Sequence, residues 1–498
     1  MIFKRSAEFF KKYWYFILIC FILFLAIAFR AEIYFLNRQF WPDEAALAAN
    51  IVCSKGFLWA FLPLEYFQMA PPLFLISTKI MACIFGLSEQ VFRLVPFLVS
   101  LISIPVFYIL SKKFLNSKRA IIFANFLYCI NFALIRYASE FKQYSSDILI
   151  FMLVLLWCEK IDTDNLNLRH VLFISVIFSL LFFISQPTVF LLFGLIVYGL
   201  LKNIKNYKLC LTGLLPLILV ILYKMQMLPD VSSYMQYYWA DGFISLGNFW
   251  HFLAENLNFF FYEIKCLYFL CPLIFIGFFI VLYRVFVLCG AGSQKGLKIG
   301  KILVLSMFGL FLAGVLHLYP ILNRMILFLF PFIFIFIASV FDFRLKNARL
   351  DKLCTAFMAA FIILFLILFG LKIICKNRDD IIIDCCRGRD LTIILKENFK
   401  EDDILLVSKF NESFYKYYDA LFNINDAVIL NVPEDKNLIN FLKKADKNKN
   451  YWVYIPCNSS LHPLPRAIKT LENKGEIKVF YKLHLAQNSY LYKIKLII

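Results

Sequence analysis

Of 498 residues, 62% are hydrophobic, 59 are phenylalanine and only 17% carry a formal charge, against about one-quarter in soluble globular domains. The net charge of +19 does not point to nucleic acid, because the excess Lys and Arg lies in short loops between long apolar runs, where it encodes orientation. These features exclude a soluble enzyme and describe a polytopic α-helical membrane protein.

Lys4, Arg5, Lys11 and Lys12 precede the first apolar run, which lacks a small-residue cleavage site and reads as an uncleaved span near 13–29. Just beyond it lies FWPDEA, Phe40 to Ala45. Two adjacent carboxylates, Asp43 and Glu44, sit there beside a Trp-Pro step with apolar sequence on both sides. Acids at a membrane face are costly unless water or a cation receives them, so they mark a candidate functional site. The same spacing lets Asp43 cap a helix beginning at Glu44, with Pro42 setting the turn. The two roles are compatible, since a cap fixes the carboxylate in place.

Pro71 to Gly86 is apolar but short, opens on two prolines and carries Lys79. Further spans fall near 91–110, 120–136, 147–159, 171–185, 187–201, 208–225, 262–283, 302–318, 325–341 and 354–373. If 71–86 crossed the bilayer, the basic loop Ser111 to Arg119 would face outside. Read as an interfacial helix instead, it leaves every basic loop on one side. Those loops hold Lys112, Lys113, Lys118 and Arg119; Lys202, Lys205 and Lys208; Arg284, Lys295, Lys298 and Lys301; and Arg344, Lys346, Arg349 and Lys352. The loop 226–261 has no Lys or Arg. This asymmetry predicts about eleven transmembrane helices in the cell inner (plasma) membrane, with the N-terminus cytoplasmic.

The first external loop, 30–90, then carries the acidic motif, and the segment Arg136 to Asp147 (RYASEFKQYSSD) lies on the same face. It holds Arg136, Tyr137, Glu140, Lys142, Tyr144 and Asp147, where a minimal turn needs only Ser, Gly or Asn. Cations there suit a phosphate: Arg grips it with a fork, Lys with a compact charge. A third patch, Leu318 to Pro331, turns at Tyr319 and Pro320 before Arg324 opens the next span. Arg324 either snorkels to the interface or binds phosphate. The aromatics of 226–261, including Tyr234, Trp239 and Trp250, form an interfacial belt or a mobile lid. His251 and His317 stand alone and are assigned no ligand role.

Most of the 14 cysteines lie in apolar runs as small fillers, and no metal-binding spacing occurs. Cys375, Cys385, Cys386 and Cys457 allow one disulfide if the tail faces an oxidising compartment. That tail, 374–498, differs in kind from residues 1–373. Segments 402–408 and 452–456 read as strands, 413–422 and 437–445 as helices, and 478–485 with 489–498 as a hairpin around Gln487-Asn488. The expectation is a small α/β extracytoplasmic domain of normal independent size. It has no Gly-rich phosphate loop.

Three features in this order carry a family resemblance: Asp43-Glu44 in a large first external loop, S-E-x-[RK]-x-Y-S at Ser139 to Ser145, and Y-P-x-x-x-R at Tyr319 to Arg324. Together they resemble the GT-C glycosyltransferases, in the bacterial branch similar to protein O-mannosyltransferases and the lipid A aminoarabinose transferase (PMT/ArnT-like). The resemblance implies an inverting glycosyltransferase that takes a polyprenyl-phosphate-linked monosaccharide and passes the sugar to an envelope acceptor. It implies Asp43 as catalytic base and Glu44 as its acidic neighbour. Glu140, Lys142, Tyr144 and Arg324 match the family's motif positions and would bind the donor phosphate and sugar, with Arg136 and Tyr319 as further candidates beside them. The partners it implies are the lipid bilayer, the lipid-linked donor and the acceptor, with no nucleic acid. The chain departs from the family at Lys142, where Arg is usual. No metal is expected, although Asp43, Glu44, Glu140 and Asp147 supply oxygen ligands of the kind a hard divalent cation takes. The rival class is a transporter or flippase of lipid-linked sugars, whose paired broken helices in related halves find no duplication here.

Overall fold

The computed structural model describes residues 2–164, 166–225, 237–245, 247–261, 271–286, 297–342, 386–424, 427–430, 445–457, 464–486 and 489–497, with scattered positions in 349–367 and 438–442. Two compact units emerge. One comprises Met1–Leu36, Ala70–Thr78 and Arg93–Phe369; the other comprises Asn37–Met69, Lys79–Phe92 and Gly370–Ile498.

The first unit is helical. Among the described residues three helices are long and apolar enough to cross a membrane: Tyr13–Phe35, Leu94–Phe114 and Leu297–Val315. The other apolar helices run 10–17 residues, short of the roughly 20 that a hydrocarbon core of about 30 Å needs. The expected count of about eleven spans is therefore not confirmed among the described residues, and several of the apolar runs are broken. The run 120–136 divides into Lys118–Ile130 and Phe132–Tyr137. Asn131 accepts the Leu134 N–H at 3.0 Å and starts a new helix, while its amide donates to the Phe260 carbonyl at 3.0 Å. The run 208–225 divides at Gly213, and 325–341 begins as a 3-10 turn, Asn323–Leu329, before Phe330–Ser339. The predicted span 354–373 falls largely outside the described residues. Pro72–Phe85 is a helix of 14 residues, about 21 Å long at 1.5 Å per residue.

The basic loops meet at one end of this unit. Asp342, fully enclosed, accepts from the backbone of Asn116 at 2.9 Å and Ser117 at 2.6 Å, and pairs with Arg284 at 2.6 Å. Arg119 donates to the Phe341 carbonyl at 2.8 Å and pairs with Asp351 at 2.8 Å. Lys113 pairs with Glu159 at 2.9 Å, Lys298 donates to the Glu159 carbonyl at 3.2 Å, and Lys202 pairs with Asp164. At the other end of the same helices lie Asn131, the turn 138–143 and the segment Tyr319 to Arg324. Asn256 ties this end together. It donates to the Ile321 carbonyl at 2.9 Å and accepts from Asn323 at 3.1 Å.

The second unit is α/β. Its five-stranded sheet has the order β2-β1-β3-β5-β4, with β1 Ile404–Ser408, β2 Ala427–Leu430, β3 Asn450–Ile455, β4 Ile477–Ala486 and β5 Ser489–Leu496. β1 runs parallel to β2 and β3, and β5 runs antiparallel to β3 and β4. Leu405, Leu406 and Val407 of β1 and Tyr451 to Ile455 of β3 are buried without a break, as strands covered on both faces must be. Asp403 anchors this sheet. It accepts from Trp452 Nε1 at 2.8 Å, Lys493 at 2.7 Å and Asn450 at 3.0 Å. Burial alone would raise its pKa, but these donors outweigh it and hold the carboxyl below its ordinary value. Helix 413–422 appears as Glu412–Phe422, whereas β2 and the helices Gly388–Asn398 and Leu464–Asn473 were not anticipated. The predicted turn at Gln487-Asn488 and most of helix 437–445 lie outside the described residues.

Candidate active-site residues

The acidic motif belongs to the second unit and opens the helix Pro42–Cys53. The capping expectation is overturned. The helix starts at Pro42, Trp41 occupies the cap position without a side-chain capping bond, and its carbonyl accepts from Glu44 at 3.0 Å and Ala45 at 3.0 Å. Proline suits the first helical position because its missing N–H would have no partner there. Asp43 and Glu44 thus stand in the first turn, where the helix dipole favours negative charge. Their surroundings differ: Glu44 is 1% exposed, while Asp43 is half-buried. Asp43 is the more exposed of the two carboxylates, and Glu44 is set in the protein interior.

Helix Pro42–Cys53 lies against Glu412–Phe422, and Ala45, Ala46, Ala48 and Ala49 are buried along it. Small side chains allow two helices to approach closely. Phe40 packs on Tyr417 with ring centroids 4.9 Å apart and edge-on to Phe92 at 6.0 Å. Glu412 sits below its ordinary carboxylate range, because ion pairs with Lys409 and Lys416 outweigh the burial that would raise it. Lys416 also reaches Glu65 at 3.7 Å and lies over the Tyr66 ring at 5.6 Å.

The cationic candidates belong to the first unit. Arg136 lies in the last turn of the short helix Phe132–Tyr137, with its guanidinium 5.7 Å from the Tyr137 ring centre. Residues 138–142 are buried throughout, including Glu140 and Lys142, and the Lys142 N–H donates to the Glu140 carbonyl at 2.7 Å. Phe141 stacks on Phe74 at 5.8 Å. Tyr144 opens helix Tyr144–Cys158 and meets Tyr137 edge-on at 5.3 Å. This is not a solvated polar turn, because its ionisable groups are enclosed.

Helix Tyr144–Cys158 packs against Asn323–Leu329, bringing the second and third patches into one region. Arg324 lies 5.5 Å from the Trp239 ring centre. The Tyr319 hydroxyl donates to the Met325 carbonyl at 3.1 Å, and its ring meets Phe190 edge-on at 5.3 Å. Burial, and then the Asp147 carboxylate nearby, push Tyr319 well above its ordinary pKa, so it stays a neutral hydroxyl. Beside Asp147 stands Ser185. Both side chains are buried. The region thus offers guanidinium groups, an enclosed lysine, hydroxyls and a carboxyl group, a set suited to an anionic ligand that also carries hydroxyls.

Sequence reasoning missed Ser185, Asn256 and Gln39. Asn256 lies inside the helix Phe249–Phe261, Ser185 and Gln39 lie in connecting segments, and no spacing marks any of them. The aromatic segment appears in part. Trp239 serves Arg324, and Phe243 stacks on His317 at 4.9 Å, while Tyr234 lies outside the described residues. Cys386 and Cys457 are buried thiols, and Cys375 and Cys385 lie outside the described residues. Among the described residues no group of three or more His, Cys, Asp or Glu side chains is gathered to hold a metal.

No protein-family model matches this sequence, and no curated protein matches it. The architecture is nevertheless a known one, shared with solved structures of ArnT. ArnT from Cupriavidus metallidurans bound to undecaprenyl phosphate is similar with a TM-score of 0.52 at 12% identity, covering 94% of this chain and 97% of that one. The same ArnT in the apo state gives 0.51 at 13% identity over the same shares. An oligosaccharyltransferase from Archaeoglobus fulgidus in the apo form also matches, with a TM-score of 0.42 at 14% identity over 82% of this chain and 64% of that one.

Proposed function

We propose that this protein is an inverting glycosyltransferase that moves a monosaccharide from a polyprenyl-phosphate donor to an envelope acceptor on the extracytoplasmic face. The observation that carries this reading is the likeness to an ArnT bound to undecaprenyl phosphate, which extends over 94% of the chain and so takes in both the helical unit and the α/β unit.

The chemistry follows from the groups present. A sugar phosphoester already carries its leaving group, so the remaining task is to activate the acceptor hydroxyl or amine. Asp43 takes that proton as the new bond to the anomeric carbon forms, and the bond to the phosphate oxygen breaks on the opposite face. Charge then grows on the departing polyprenyl phosphate, and Arg136, Lys142 and Arg324 receive it. Glu140, Tyr144 and Tyr319 complete the binding of phosphate and sugar, and Glu44 sustains the acidic turn. One displacement inverts the anomeric centre, and no covalent intermediate is required.

The test uses the full chain in proteoliposomes with labelled polyprenyl-phosphate sugars and an envelope lipid, polysaccharide or protein fraction. Label appearing in the acceptor with inverted anomeric configuration is the expected result. Label that crosses the bilayer while still attached to its lipid would replace this reading with a flippase.

A further inference from the structure

The sequence treats the tail as a separate soluble module, yet it forms one compact unit with the segments 37–69 and 79–92 that flank the acidic motif. Three sets of contacts make the join. The Gln39 side-chain oxygen accepts the backbone N–H of Arg389 at 2.9 Å and of Asp390 at 3.3 Å. It therefore caps the helix Gly388–Asn398, whose first turn would otherwise carry unmatched donors. The Arg389 guanidinium returns to the Asn37 carbonyl at 3.2 Å and pairs with Glu89 at 3.5 Å. Glu89, which is buried, accepts the Tyr418 hydroxyl at 3.1 Å. Phe40, Phe92 and Tyr417 close an aromatic cluster directly before the acids, with Tyr417 edge-on to Phe92 at 5.7 Å.

All of these contacts precede or flank Pro42, so they fix where helix Pro42–Cys53 begins and which way its first turn faces. The helix has little means of fixing itself. It is 12 residues long and lacks a side-chain cap, and helices of that length are marginal alone.

We infer that the tail acts as a brace for the proposed base, with Gln39, Glu89 and Arg389 as positioning residues that hold Asp43 through the helices Gly388–Asn398 and Glu412–Phe422. The inference rests on the assignment of Asp43 as base. It gives the tail a role in the rate of transfer. A module that only captures acceptor would act on binding instead. Misplacing a reacting group by about 1 Å costs about a hundredfold in rate, so modest loosening of the first turn is visible in kcat.

The experiment uses the full-length protein with Gln39→Leu, which removes the acceptor, and Gln39→Glu, which keeps it. Hydrogen exchange and single-turnover kinetics are read on both. Gln39→Leu should speed exchange across residues 42–53 while β1 and β3 stay protected, and should lower kcat at least tenfold with donor KM within twofold. Gln39→Glu should restore both. Unchanged exchange at 42–53 overturns the brace, and faster exchange with intact kcat overturns the positioning role. A rise in KM with kcat preserved assigns the tail to binding instead. Arg389→Ala, which removes the second contact, should reproduce the exchange result, so the brace does not depend on one variant folding well. If the unaltered protein transfers no sugar, the transferase reading fails, and the exchange measurement alone decides whether the tail holds the helix.

Discussion

Replacing Asp43 by Asn separates catalysis from structure at the acidic turn. Asp43 is half-buried and stands in the first turn of its helix, one position inside the proline that opens it. Removing its charge gives up the favourable helix-dipole interaction, about 0.3–1 kcal/mol, or a fall of under about 4 °C in the thermal midpoint of a chain this long. A general base contributes about 10²–10⁴ in rate, or about 3–5.5 kcal/mol of barrier. Asp43→Asn should thus lower single-turnover transfer by at least a hundredfold with donor binding and melting nearly unchanged. Glu44→Gln should show the reverse balance. Glu44 is enclosed, and exchanging a buried carboxylate disturbs its partners at a cost of about 1–3 kcal/mol, so melting falls first and the rate follows only in part. The measurements are transfer from a labelled polyprenyl-phosphate sugar and thermal unfolding in the same detergent. More than a tenth of normal transfer in Asp43→Asn refutes its role as base. A collapse of melting in that variant refutes the separation of roles.

Arg324→Ala should lower kcat/KM for the donor by about 10- to 100-fold, as expected from losing a charge-assisted contact of about 1.5–3 kcal/mol, and Arg324→Lys should fall between; equal kcat/KM across the three would return Arg324 to simple snorkelling. Asp403 predicts a pH dependence of the α/β unit. Its folded pKa is depressed, so its contribution is fully present above the unfolded value of about 3.9 and is lost as pH falls below that towards the folded value. Thermal unfolding should show Asp403→Asn well below the unaltered protein at pH 7, with the gap narrowing below about pH 4; a gap independent of pH would show that the Asp403 charge contributes nothing.

Much of this arrangement is legible in local sequence. β1, β3 and the terminal pair β4 and β5 follow from short runs of β-branched and aromatic residues, whose periodicity is a property of neighbours in the chain. Helix breaks were harder to read. Asn131 looks like one polar residue inside an apolar run, and its effect depends on the Phe260 carbonyl, 129 residues away. Likewise, Asp43 matched a capping position by composition, but Pro42 is itself a favourable first helical residue and moved the start of the helix ahead of the acid. The turn 138–143 has the composition of a solvent-exposed loop, and only packing encloses Glu140 and Lys142.

The sequence by itself determined that this is a membrane protein and where its basic loops fall, because hydropathy and charge act position by position. Tertiary structure decided which of two adjacent carboxylates is accessible, and that the tail grips the segment ahead of them. Those outcomes depend on pairs such as Gln39 and Arg389, 350 residues apart. Burial and hydrogen bonding between such distant groups leave no periodic trace in the chain that encodes them.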